Sequence, residues 1–248
     1  MISAAPAGTD RPWPVLYRPE TDSTMNWARR VVSAAPAAPA DAFRLEAGRQ
    51  WRGRGRRGGV WYDRADGAVL TTLALRRGGC HDPGDPQPGV LALRAGLAVC
   101  RTLEGLGMTA RVRWPNDILV GDRKICGILT EADARWFLIG VGLNLRLPTA
   151  ADPARFATPP TALERHLPAP PGRAELGARL DGALETALTD IHWHGDLDAR
   201  LAWRGELVRI TGEAEERSGQ LLGLDPSGAL LLQGPGGTAR VFSGSLRR

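Results

Sequence analysis

The sequence predicts an α+β fold, a mixed β-sheet flanked by helices and followed by a small C-terminal β-barrel. Three observations point to it. Two segments carry apolar side chains at helical spacing: Leu91, Ala95, Ala98, Val99, Thr102 and Leu106 in the first, Leu176, Leu180, Leu184, Leu188 and Ile191 in the second. Short apolar runs bounded by Gly, Pro and Asp read as strands before and between them. From about residue 203 the chain changes character: "GELVRITG", "RSGQLLGLD", "GALLLQG" and "ARVFSG" are short strands parted by Asp-Pro-Ser-Gly and Gly-Pro-Gly-Gly, the spacing of a small barrel.

The elements follow in order. Residues 1–14, rich in Ala and Pro, predict a loose, disordered N-terminal segment. "TDSTMNWARRVV" reads as a helix start, with Asp22, Ser23 and Thr24 as N-cap types and Met25, Ala28 and Val32 behind them. "SAAPAAPAD" is a linker, "AFRLEAG" a short strand, and "GAVLTTLAL" (67–75) a mostly buried strand. Residues 90–106 form an amphipathic helix. From Ala110 to Leu147, strand-like segments alternate with turns at Gly121-Asp122 and Ala132-Asp133-Ala134. Residues 148–172 are irregular apart from a helical piece around "TALERHL", and the second long helix follows. The resulting division is 1–14, a larger unit at 15–202 and a small unit at 203–248.

A net charge of +5 points to anionic partners: nucleic acid, nucleotides, phosphorylated substrates or acidic protein surfaces. Arginine supplies nearly all of the positive charge, and Lys124 is the sole lysine. Cys80, Cys100 and Cys126 are odd in number and lack metal-ligand or redox spacing, which fits a reducing cytoplasm. No signal-peptide pattern opens the chain, and no apolar run reaches the ~18 residues of a membrane span. His192-Trp193-His194 has no Cys or acidic ligand at metal spacing and reads as a surface or helix-end pair rather than a metal site.

Three stretches carry chemistry. "GRQWRGRGRRGG" (48–59) holds five arginines and five glycines in twelve positions. It reads either as a folded loop shaped around a small anion or as a solvated basic loop that touches nucleic acid. It lies between strand-like segments, with no second repeat. Glycine lets backbone N–H groups approach an anion, and arginine adds charge in a fixed fork of donors. "RWPNDILVGDRKICGILTE" (113–131) sets a rigid polar corner before a strand, and the Gly121-Asp122 turn can bring Asp117 opposite Lys124. The bland alternative is a surface ion pair worth ~0.5 kcal/mol. "FLIGVGLNL" (137–145) ends a strand in Gly140-x-Gly142-x-Asn144, a bare backbone edge beside one amide suited to the edge of an adenine. A buried strand with small residues is the competing reading.

Taken together and in this order, the stretches resemble the catalytic domain of biotin protein ligases. The carriers of the resemblance are Gly53-Arg54-Gly55-Arg56-Arg57-Gly58 with Trp61 just beyond, and the corner from Arg113 to Ile118. Further along come Lys124, Gly127, Ile128, Leu129 and Glu131, then Ile139 to Asn144. Upstream, Thr21 to Thr24 and Gln50 also match. The similarity runs from about Tyr17 to Leu147 and extends to the small C-terminal unit. It implies a sheet of the class II synthetase kind with an SH3-like C-terminal barrel. The implied activity is activation of biotin by ATP to biotinyl-5′-AMP, with Mg2+, and transfer to a lysine of a biotin carboxyl carrier protein.

The resemblance also implies roles. Ser23, Thr24, Gln50 and the backbone around Gly53, Arg54 and Gly127 would bind the ureido ring. Arg54, Arg56 and Lys124 would hold the biotin carboxylate and the α-phosphate. Trp61 would pack by the adenylate, Asn116 would contribute to ATP binding, and Asn144 would meet the adenine. Asp117 is the candidate base or orienting group for the incoming amine. Family members pair through the central sheet or act alone, so a homodimer is one expected state. About 15 residues precede the matching region, so a DNA-binding helix-turn-helix is not expected. Two departures stand out: Gly59 replaces a basic residue, and Trp51-Arg52 is bulkier than the usual pair. The rivals are a lipoate–protein ligase, which shares the adenylation logic, and a basic RNA-binding module, which predicts steep salt dependence.

Overall fold

The computed structural model describes residues 3–4, 12–34, 40–61, 65–79, 87–147, 156, 158–212 and 216–248. Cys80 and most of the 1–14 segment lie outside them. Within that segment, Ser3–Ala4 form a short strand β1, and Trp13 is buried and donates its indole N–H to Asp181 at 3.1 Å.

An eight-stranded mixed sheet organises the chain. Its strands are β1, β2 (Val15–Thr21), β3 (Ala42–Gln50), β6 (Ala68–Arg76), β7 (Arg111–Arg113), β8 (Asp117–Val120), β9 (Arg123–Ala132) and β10 (Trp136–Asn144). The order is β1-β2-β3-β6-β10-β9-β8-β7. The β2–β3 pair is parallel and the remaining pairs are antiparallel. A separate two-stranded hairpin, β4 (Gly53–Arg54) and β5 (Val60–Trp61), stands off the sheet.

Period-two alternation gives the sheet two faces with different duties. On β10, Phe137, Ile139 and Val141 join one apolar core with helix α2 (Pro88–Glu104) and helix α3 (Arg173–Thr189). Trp136 and Leu138 pack on the other side with Met25, Trp27, Ala28 and Val32 of helix α1 (Thr24–Ala34). Gly140 lies under α1: a Cβ there would meet the Met25 sulfur at 2.9 Å, so glycine is what lets the helix come so near. The α1 face also carries the candidate site.

Strand β3 is buried almost throughout although it contains Arg44 and Glu46. Arg44 is fully buried and bonds Asp181 of α3 at 2.9 Å and Glu46 at 2.6 Å, while Arg173 reaches Glu46 at 3.3 Å. Buried charge persists only when paired in this way. The network pins α3 to the sheet.

Helix α3 stops at Thr189, where the Asp190 carboxylate accepts the His192 N–H at 2.8 Å. Ile191 is therefore 83% exposed and does not extend the apolar stripe that the sequence pattern assigns to it. A short helix α4 (Trp193–Asp198) leads to the C-terminal strands. His194, in α4, meets the Leu224 carbonyl at 2.8 Å.

The C-terminal strands β11 (Leu207–Thr211), β12 (Arg217–Leu224), β13 (Leu230–Gly234), β14 (Gly237–Val241) and β15 (Ser245–Arg247) form a five-stranded antiparallel sheet in the order β14-β13-β12-β11-β15. Four strands are expected from the sequence; β15 is a fifth. Edges β14 and β15 do not pair, so among the described residues the unit is a small antiparallel sheet, and the expected closed barrel is not found. It is fastened to the larger unit where Trp114 donates to the Gly228 carbonyl at 3.0 Å and Asp198 accepts the Leu224 N–H at 2.9 Å.

Candidate active site

The Arg/Gly stretch is a folded hairpin. Gly53 pairs with Trp61 and Arg54 with Val60, and the turn between them is a single 3-10 turn, Arg56–Gly58. Gly55 N–H donates to the Gly59 carbonyl at 2.7 Å, closing the loop. Arg57 and Gly58 adopt φ of 52° and 74°, and the glycine takes the left-handed conformation without a Cβ penalty. This local geometry favours the shaped-loop reading over a tether.

Beneath the hairpin lies a narrow inner cavity on the α1 face of the sheet. Its floor is polar and buried. The Gln50 side-chain oxygen accepts the Thr24 backbone N–H at 2.6 Å and the Thr24 hydroxyl at 3.1 Å, and Thr72 donates to that same hydroxyl at 2.9 Å. Gln50, from the end of β3, thus caps the start of α1. Ser23 and Thr24 are 1% and 3% exposed. A fixed set of buried donors and acceptors suits a neutral polar ring rather than an ion. Gly127 lines the cavity where the Trp61 ring packs against it, and Gly53 pairs with the Trp61 backbone just behind.

An outer cleft of about 530 Å3 shares Gly55, Arg56, Trp61, Asn116 and Lys124 with the inner cavity. Lys124 and Asp117 face each other across the β8–β9 hairpin, with Nζ–Oδ1 2.5 Å. Arg113 pairs with the other Asp117 oxygen and with the Thr158 hydroxyl. Burial alone would raise the Asp117 carboxyl, but Lys124 and Arg113 overcome it and hold it below the usual carboxylate range. A depressed carboxylate is a weak proton acceptor, so this environment favours an orienting task over that of a base.

Arg56 donates to the Asn116 side-chain oxygen at 3.1 Å. Asn116 is itself fixed from two directions. Its amide donates to the Ile128 carbonyl at 2.7 Å, and its backbone carbonyl accepts the Ile128 N–H at 2.9 Å. Burial, reinforced by neighbouring Arg57, lowers the Arg56 guanidinium from its ordinary value. Loss of hydration strengthens its attraction for an anion.

Arg54 is placed differently from its neighbour. Its guanidinium bonds Glu131 at 3.0 Å and the Asn26 side-chain oxygen at 3.2 Å, and Arg29 meets the same glutamate at 2.5 Å. In the structure the Arg54 side chain links α1 to β9, and Arg54 also lines the inner cavity. Asn144, at the end of β10, lines a lateral branch of the cleft with Val60, Trp61, Lys124 and Pro160, and its amide donates to the Thr161 carbonyl at 2.9 Å. Of the candidate site residues named from the sequence, all but Gly53 line the inner cavity, the outer cleft or the lateral branch.

Some neighbours carry no such signal in the sequence. Arg247 of β15 lines the outer cleft, and burial together with Arg113 lowers its guanidinium, against the pull of Asp117. No local pattern marks it, because its position depends on how the C-terminal sheet docks. Asn26 likewise carries none, whereas Glu131 stands in the motif that begins at Lys124; its contacts with Arg54 and Arg29 are what the motif does not announce.

Comparison with known proteins bears on this geometry. The biotin/lipoate A/B protein ligase family matches residues 43–145. A biotin–[acetyl-CoA-carboxylase] ligase of Paracoccus denitrificans is 34% identical over 251 residues, covering 90% of this chain and 98% of that protein. The ligase of the same description from Mycobacterium tuberculosis is 30% identical over 226 residues, covering 86% and 81%. Among solved structures, a biotin protein ligase from Aquifex aeolicus in complex with biotin and ATP superposes with a TM-score of 0.81 at 24% identity, covering 94% of this chain and 98% of that one.

Proposed function

The chain belongs to the biotin protein ligase family, and on that premise we propose that it joins biotin to ATP and passes the biotinyl group to a lysine of a biotin carboxyl carrier protein. The observation that carries the proposal is the junction of the two cavities. There the sole lysine and Arg56 stand between a buried polar floor and a broad basic cleft. The inner cavity takes the vitamin, with the ureido ring on Ser23, Thr24 and Gln50 and its carboxylate pointing to the junction. The outer cleft takes the nucleotide, with Trp61, Asn116 and Asn144 along its walls.

In the first step a carboxylate oxygen attacks the α-phosphorus, the bond to the β-phosphate oxygen breaks, and pyrophosphate leaves. Two anions must meet, and charge builds on the α-phosphate. Lys124 and Arg56 are held in place before the reaction, one by Asp117 and the other by Asn116, so little reorganisation is needed as that charge develops. Lysine suits the point-charge task and arginine the planar clamp. In the second step the acceptor amine attacks the acyl carbon, AMP leaves, and the amine loses a proton. A lysine amine in water titrates at ~10.4, so it arrives largely charged. Asp117 is assigned to orient it. The hairpin above the junction shields the mixed anhydride from water.

Magnesium fits as a companion of the triphosphate. Among the described residues no group of three or more acidic, His or Cys side chains offers a cage, and the carboxylate at the cleft, Asp117, is already paired. When bound, the ion supplies charge neutralisation to the leaving pyrophosphate. The units 15–202 and 203–248 are assigned to catalysis and to an SH3-like module that contributes Arg247. No helix among the described residues is long and apolar enough to cross a membrane, and the thiols fit a cytoplasmic setting.

Exchange of labelled pyrophosphate into ATP, dependent on biotin, tests the proposal. Exchange with lipoate in place of biotin, or none with either, overturns it.

A further inference from the structure

Two glycines on neighbouring strands are separated in sequence yet lie side by side. Gly127 of β9 and Gly142 of β10 are direct cross-strand partners on the α1 face. The indole of Trp61 packs against both. A Cβ at Gly142 would meet the six-membered ring at 2.7 Å, and one at Gly127 would meet it at 3.0 Å. Trp61 is covalently part of the hairpin through β5, and its backbone carbonyl sits 2.6 Å from where a Gly53 Cβ would be. The same indole borders the inner cavity, the outer cleft and the lateral branch, and the Lys124 ammonium stands 5.7 Å from its ring. Its buried N–H has no hydrogen-bond partner among the described residues, so packing on the glycines, rather than a polar contact, fixes the ring.

We propose that Gly127 and Gly142 are positioning residues, a side-chain-free platform across two strands that seats Trp61 as the partition between vitamin and nucleotide compartments. The idea rests on the function assigned above and adds a reason for glycine at these two positions. Neither glycine has a positive φ, so it is space and not backbone freedom that demands the missing side chain.

Gly142 is the cleaner position to test, because a Cβ at Gly127 would also press on the Lys124 ammonium at 3.0 Å. For Gly142→Ala the ring must withdraw by about 1 Å to restore ordinary contact at roughly 3.5–4.0 Å. Misplacement on that scale costs on the order of 100-fold in a reaction that depends on alignment. The expected result is a roughly 10- to 100-fold fall in kcat/KM for pyrophosphate exchange, carried by KM for biotin and ATP. Trp61→Ala supplies the second arm: in that background Gly142→Ala has nothing to strike and costs less than about twofold. Equal losses in both backgrounds overturn the proposal, as does an unchanged KM in the single variant.

If Gly142→Ala alone fails to fold, the pair with Trp61→Ala is expected to fold, and failure of the pair also overturns it. Thermal unfolding of the four proteins gives the same cycle without catalysis: the methyl lowers the midpoint only when the indole is present. Absence of biotin-dependent exchange in the unmodified chain would defeat the assigned function, and the unfolding cycle would still judge the platform.

Discussion

Replacing Lys124 with methionine separates the ion pair it makes with Asp117 from the catalytic role proposed for it. The substitution keeps an unbranched stem beside Trp61 and removes the charge. Asp117 then loses its partner at 2.5 Å but keeps Arg113 on its other oxygen. Breaking a buried pair outright costs ~3–5 kcal/mol, and the surviving arginine, together with the 28% exposure of the Lys124 side chain, brings the expected loss down to about 1–2 kcal/mol. For a chain of this size that lowers the unfolding midpoint by roughly 2–8 °C. Catalysis is expected to suffer more. Removing one preorganised group from a developing oxyanion costs ~2.7–4 kcal/mol, or about 100- to 1000-fold in rate. Biotin-dependent pyrophosphate exchange at saturating substrates reads the second number, and a thermal melt reads the first. Exchange within about tenfold of the unmodified chain would refute the placement of Lys124 at the reacting phosphate, whatever the melt shows.

Glu131→Gln weakens the anchor on Arg54; KM for biotin is expected to rise several-fold while kcat holds, with less than about 1 kcal/mol lost in urea unfolding because the pair is part-exposed. Arg56→Gly is expected to leave adenylate formation measurable but to release biotinyl-AMP, read as biotin on the lysines of a bystander protein, and unchanged release would count against a sheltering hairpin. The depressed Asp117 carboxyl gives a pH signature. Its contribution to stability is complete above the unfolded carboxylate value of about 4 and is lost as pH falls toward the lower folded value. Denaturation midpoints from about pH 7 to about pH 2 should therefore fall less steeply below about 4 in Asp117→Asn than in the unmodified chain.

Local chemistry made some of this legible in advance. The Gly121-Asp122 turn brings β8 and β9 together, and Lys124, in register with Leu119, reaches the Asp117 carboxylate diagonally across a register shift between Ile118 and Leu119. Helical spacing located α1, α2 and α3, and short apolar runs between turn residues located the central strands. What resisted was set by distant partners. Nothing local to the strand "AFRLEAG" says that its charged residues Arg44 and Glu46 are buried; they are, because α3 brings Asp181 and Arg173 to meet them. Ile191 continues a leucine stripe on paper, but the Asp190 turn ends the helix first. Arg247 reaches the cleft through a fifth C-terminal strand, and nothing within "SGSLRR" announces where that strand will lie. Arg54 and Arg56 are near-identical in the motif, and only the location of Glu131 and Asn116 decides which partner each one meets.

A chain with one lysine also stands in an unusual relation to its own reagent. Escaped acyl-phosphate anhydride attacks any amine it meets, and most proteins offer dozens. Here the side-chain amines number one, lodged in the cleft against a carboxylate. Arginine side chains do not take up an acyl group as an amine does, so leakage would mark the side chains of neighbours far more than those of the maker.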